Sequence, residues 1–166
     1  MTATNQAGSA TAVSNPTAIV AARTTSGGGS ALPDGAVRLP NGPVSIPAAS
    51  VALPQRLIVD QIRYTPSRIR SRSEPLVASF RVVDTRGFVV RDAVVYAAGV
   101  PFDRLSKEPE ATTGQDGWAT ITFRGVLPTF QLRAGNLVVL FVRTRTTGES
   151  VLAGVSTRRL VSVRVG

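Results

Sequence analysis

An all-β sandwich is the fold class this sequence predicts. Apolar and polar residues alternate in short runs spaced by roughly 10 to 20 residues. Turn signals stand between those runs, and no window sustains helical periodicity. About seven strands result, spread over roughly 110 residues, enough for one sandwich core.

The first 30 residues stand apart, since 21 of them are Ala, Thr, Ser or Gly. Val13, Ile19 and Val20 are their only bulky apolar residues, too few to offset the entropy of ordering. A disordered N-terminal tail is therefore expected over residues 1–20. Ser26 to Ser30 has linker composition. Prolines at 33, 40, 43, 47 and 54 then forbid a helix and a central strand. Residues 21–54 are expected as a linker. Val37, Leu39, Val44 and Ile46 around Asn41-Gly42 suit an edge hairpin inside it.

The sandwich is expected over residues 55–166. Leu57 to Tyr64 is β-branched and apolar and stops at Pro66. Leu76, Ala78, Phe80 and Val82 alternate with Ser79 and Arg81, as a half-buried strand does. Asp84 to Gly87 is a turn, and Val90 to Ala97 the next strand, with Ala93 and Val95 on one face. Residues 98–115 are expected as a longer loop rich in Pro, Gly and Glu, with room for a short edge strand. Asp116-Gly117 turns the chain into Ala119, Ile121 and Phe123, which alternate with Trp118, Thr120 and Thr122. Val138 to Thr144 is nearly all apolar, which predicts a central strand covered on both faces. Val151 to Val155 and Leu160 to Val165 close the domain.

Composition excludes several chemistries. The chain has 166 residues, no Cys and no His. Thiol and imidazole catalysis, disulfides and ordinary zinc sites are thereby removed. No cofactor is expected. The longest apolar run, Leu137 to Val142, has strand length, so no membrane insertion is expected. The N-terminus lacks the basic and apolar regions of a secretory signal. The net charge is +9, and residues 1–54 hold only +1 of it, from Arg23, Arg38 and Asp34.

Two stretches carry a family resemblance. Val82-Val83-Asp84-Thr85-Arg86-Gly87, Val90, Ala93-Val94-Val95 and Thr113-Gly114-Gln115-Asp116-Gly117-Trp118-Ala119 together resemble bacterial immunoglobulin-like modules of the invasin or carboxypeptidase-regulatory type. Val89 stands where proline is usual there, and Asp92 where glycine is usual. The run Leu152 to Val161 is similar to the closing strand of such modules at the C-terminus of actinobacterial surface or secreted proteins. The resemblance implies an immunoglobulin-like antiparallel sandwich over residues 55–165. Thr2 to Ala12 is similar to the last hairpin of another such repeat, which implies a C-terminal fragment of a longer protein.

Each candidate site has a competing plain explanation. Asp84, Asp92 and Asp103 carry oxygen for calcium, but no closely spaced acidic loop contains them; turn and solvated roles suit them better. Glu108 and Glu110 are expected as solvated loop charge rather than a glycosidase pair. Arg68, Arg70 and Arg72 share one side of an extended segment, about 6.6 Å apart. Arg143 and Arg145 repeat the spacing, and Arg158 and Arg159 add charge. Arg presents a planar fork to phosphate or carboxylate, so these residues are candidates for polyanion binding. Yet 18 of the 19 basic residues are Arg, which also fits biased genomic composition on a solvated face. No aromatic interleaving supports base stacking, so no specific nucleic acid is expected. Trp118 is a candidate for carbohydrate stacking; a partner under the loop at Val100-Pro101-Phe102 is the plainer role.

The expected function is a non-catalytic structural spacer or interaction module of a secreted or cell-surface protein, with neighbouring domains of a longer chain as partners. The alternative is binding of an anionic cell-wall polymer through the Arg strip. A single module of this kind is nearly silent about ligands.

Overall fold

A computed structural model describes residues 2–5, 8–11, 32–102, 105–106, 110–124, 131–150 and 154–166. The chain divides into two units, Met1–Ala31 and Leu32–Gly166. In the first, Thr2–Asn5 (β1) pairs antiparallel with Gly8–Thr11 (β2), Asn5 standing opposite Gly8. The remainder of the expected tail, residues 12–20, and the first part of the expected linker, residues 21–31, lie outside the described residues.

The second unit is built from strands. No α-helix occurs among the described residues, only a 3-10 turn over Ala48–Ser50. Val37–Arg38 (β3) and Val44–Pro47 (β4) form the expected edge hairpin, with Val37 opposite Ser45. The hairpin does not stand in a linker, however. β4 runs parallel to Val89–Arg91 (β8), and Ile46, Ala48 and Val51 enter the core. Proline density misled here because only Pro47 occupies a strand of this sheet, at its last residue. The Pro-rich segment thus shields an edge while Ile46, Ala48 and Val51 still point inward.

One sheet has six strands. Leu57–Thr65 (β5) pairs with Leu76–Asp84 (β7), and Trp118–Phe123 (β11) pairs with β7 as well. β8, β4 and β3 extend the same sheet. A bulge at Asp60 shifts β5, so the inward positions are Leu57, Val59, Ile62 and Tyr64. The other sheet has five strands in the order Ala111–Thr112 (β10), Val94–Val100 (β9), Leu137–Arg145 (β12), Thr157–Val165 (β13) and Arg68–Ile69 (β6). Pairing is antiparallel except for β4 with β8 and β13 with β6, which are parallel. The sheets are therefore mixed, not purely antiparallel as the resemblance implied.

One core joins them. Phe80, Phe123, Leu57 and Leu140 are completely or almost completely buried, with Ala78, Ala119, Val138 and Val142 between them. The period-2 reading of β7 and β11 is reproduced residue by residue. β12 is central, as expected, but only one of its faces is fully buried. Val138, Leu140, Val142 and Thr144 point inward, whereas Leu137 is exposed and Val139, Phe141, Arg143 and Arg145 are half-buried. Covering one face suffices in a two-layer sandwich, so an apolar run does not require two covered faces.

The strand expected from Val90 to Ala97 is broken at Asp92, whose φ is +61°. Short polar residues tolerate this left-handed backbone better than bulky ones. The break carries the chain from the six-stranded sheet to the five-stranded one. Thr113 repairs the lost pairing. Its buried hydroxyl donates to the Val90 carbonyl at 2.8 Å and accepts from the Ala93 N–H at 2.9 Å. Asp84 does similar work at the next turn. Its fully buried carboxylate accepts from the Arg86 and Phe88 N–H groups and from the Arg86 guanidinium.

Candidate functional site

The predicted arginines do not form one strip. Arg68 lies on β6 and pairs in parallel register with Arg164 on β13. Arg164 in turn stands opposite Leu137, the first residue of β12. Arg143 and Arg145 occupy the other end of β12, six to eight residues away, which is about 20–26 Å along the strand. These two are also engaged locally. Arg143 donates to the Ser150 carbonyl at 3.1 Å, and Arg145 pairs with Glu110. Arg68 and Arg70 border a shallow cleft of ≈ 180 Å³ with Pro66, Ser67 and Glu74. Glu74 places a carboxylate in the cleft and offsets part of its charge. Arg72 is exposed on the same segment.

Trp118 points outward from β11, as its alternation predicts, and is half-buried. Its partner is Arg63 on β5 rather than the loop around Phe102. The Arg63 guanidinium carbon lies 4.3 Å from the indole ring centroid. That distance suits a cation–π contact, which occupies one ring face that a sugar would otherwise use. Around this pair, Arg81 holds Asp60 through hydrogen bonds of 3.1 Å from Nε to each carboxylate oxygen. The hydrogen bond to Asp60 raises the Arg81 pKa above the ordinary arginine value. Ser79 and Thr120 join hydroxyls at 2.9 Å. The outer face of the six-stranded sheet is thus a network of paired polar groups.

The acidic candidates take structural positions where they are described. Asp84 is committed to its turn, Asp92 sits at the strand break near Arg91, and Glu110 pairs with Arg145. Asp103 and Glu108 lie outside the described residues. Among the described residues, no three His, Cys, Asp or Glu side chains gather where a metal ion would be held.

Two features are not legible in linear spacing. Nothing in the sequence links Arg63 to Trp118, because β7 separates their strands and only the register brings them together. The outward row of the five-stranded sheet is the second, and alternation along β12 and β13 contains its signal. Leu137 and Leu160 are 51 % and 64 % exposed. Tyr96 meets Phe141 edge-on in that row, with centroids 6.4 Å apart.

No family model, curated protein or solved structure matches this chain.

Proposed function

We propose that this unit is an immunoglobulin-like, non-catalytic spacer or interaction module of a secreted or cell-surface protein. The strand order supports the fold part of the reading. β5, β7 and β11 follow the A-B-E order of one immunoglobulin sheet, and β9, β12 and β13 the C-F-G order of the other.

The observation that carries the function is how buried polar side chains are used: Asp84, Thr113 and Thr144 tie strands and turns together.

A direct fusion of two copies of residues 32–166 tests the reading by small-angle scattering. The expected maximum dimension is close to twice that of one copy. A dimension matching two sandwiches packed side by side would overturn it.

A further inference from the structure

The outer face of the five-stranded sheet has an apolar centre and a cationic border. Phe141 lies between Ala98 and Leu160, and Val139 lies between Val100 and Ser162. Leu137 and Leu160 are more than half exposed. Arg164 and Arg68 stand side by side at one margin, and Arg143 and Arg158 at the other. No Asp or Glu occupies an outward position of β9, β12 or β13.

Like charges directly opposite each other across strands destabilise a sheet. Arg68 and Arg164 form such a pair beside the exposed Leu137, an arrangement that an anionic partner would relieve. A second copy would set arginine against arginine, so charge opposes self-association through this face. A free polyanion would neutralise the guanidinium groups but leave Leu137 and Leu160 in water. An anionic phospholipid surface meets both needs. Its phosphodiesters match the planar fork of arginine, and the acyl boundary just below accepts leucine side chains.

We propose that the outer face of β9, β12 and β13 docks on an anionic lipid surface, lying on it without spanning it. The docking face is an outward surface that the spacer reading does not use, so either stands without the other.

The test is sedimentation of the full chain with phosphatidylcholine vesicles and with vesicles containing phosphatidylglycerol as well. The expected result is binding to the phosphatidylglycerol vesicles that weakens as salt rises. Replacing both Arg68→Ser and Arg164→Ser should weaken it by about tenfold or more. Replacing both Leu137→Ser and Leu160→Ser should weaken it by about tenfold with no change in charge. Arg38→Ser with Arg63→Ser removes the same charge from the other sheet and should leave most of the binding. Circular dichroism of each variant reports retained folding. Absence of binding to phosphatidylglycerol vesicles would overturn the proposal. So would binding that ignores the leucine changes, or that falls equally with either pair of arginine changes, since both describe unspecific attraction by net charge.

Discussion

The Thr144 hydroxyl donates to the Leu57 carbonyl at 3.3 Å, joining the five-stranded sheet to the first residue of β5 in the six-stranded sheet. Thr157 donates to the same carbonyl, and the Leu57 N–H donates to the Val155 carbonyl at 2.9 Å. Both backbone groups of Leu57 thus turn away from β7 toward the opposite sheet. Replacing Thr144→Val should lower unfolding free energy by about 1 kcal/mol, because Thr157 still serves the carbonyl. Adding Thr157→Val strips the carbonyl of both donors, at a further cost of about 1–3 kcal/mol. Denaturant titration of the two single variants and the double variant checks this, and simple additivity of two small effects would refute the shared acceptor.

Gly117 is confined in a way that Gly87 is not. Both have positive φ, +74° and +90°. A Cβ on Gly117 would lie 2.5 Å from Val89 Cγ1 and 2.9 Å from the Val82 carbonyl oxygen, whereas one on Gly87 meets nothing within 4 Å. Gly87→Ala should cost about 1–2 kcal/mol, the backbone term alone. Gly117→Ala should cost at least about 1 kcal/mol more, because the clash includes backbone. Equal melting temperatures for the two variants would count against the packing described at this turn.

Ile46 provides a test of the Pro-rich segment. It is fully buried and belongs to the core cluster with Phe80 and Leu140. Ile46→Ala should destabilise the unit by about 2–5 kcal/mol, measured by chemical denaturation. A change under about 0.5 kcal/mol would return the segment to the status of a linker.

How far the sequence is readable follows from these positions. Alternation in Leu76 to Val82 and in Ala119 to Phe123 predicts burial correctly, because each strand presents one face to one core. The pattern places Ile46 in an edge hairpin, but prolines on either side hide its complete burial in the core. The break at Asp92 was missed because its repair by Thr113 comes from 21 residues farther along. Asp84-Thr85-Arg86-Gly87 was recognised as a turn, yet the complete burial of its Asp side chain depends on neighbours that local composition does not encode. The candidate arginines were found individually. Their division between opposite ends of β12 is a property of register, which a one-dimensional spacing cannot contain.

The contact between Arg63 and Trp118 can be read spectroscopically, since Trp118 is the chain's single tryptophan. Arg63→Ala should expose the indole, shift its emission to longer wavelength and increase quenching by a neutral quencher. The stability loss should be about 0.5–1 kcal/mol, as for cation–π contacts at partly exposed sites. Unchanged emission and quenching would mean that the guanidinium does not cover the ring in solution.

Tyr64 makes stability depend on alkaline pH. Burial pushes its phenol up to about 12 from the ordinary 10.0, and the positive charge of Arg159 opposes part of that rise. Its hydroxyl is buried without a hydrogen-bond partner. With the folded-state pKa above the unfolded value, the native state holds the proton more tightly. The linked stability is therefore fully present below pH 10.0 and is lost as pH rises toward about 12. Tyr64→Phe removes both the titrating group and the unpaired hydroxyl. At neutral pH the variant should be at least as stable as the parent, because an orphaned polar group is replaced by an apolar edge. Between pH 10.0 and about 12 its unfolding midpoint should fall less steeply than the parent's. Parallel slopes for the two proteins across that interval would show that Tyr64 does not govern the alkaline loss.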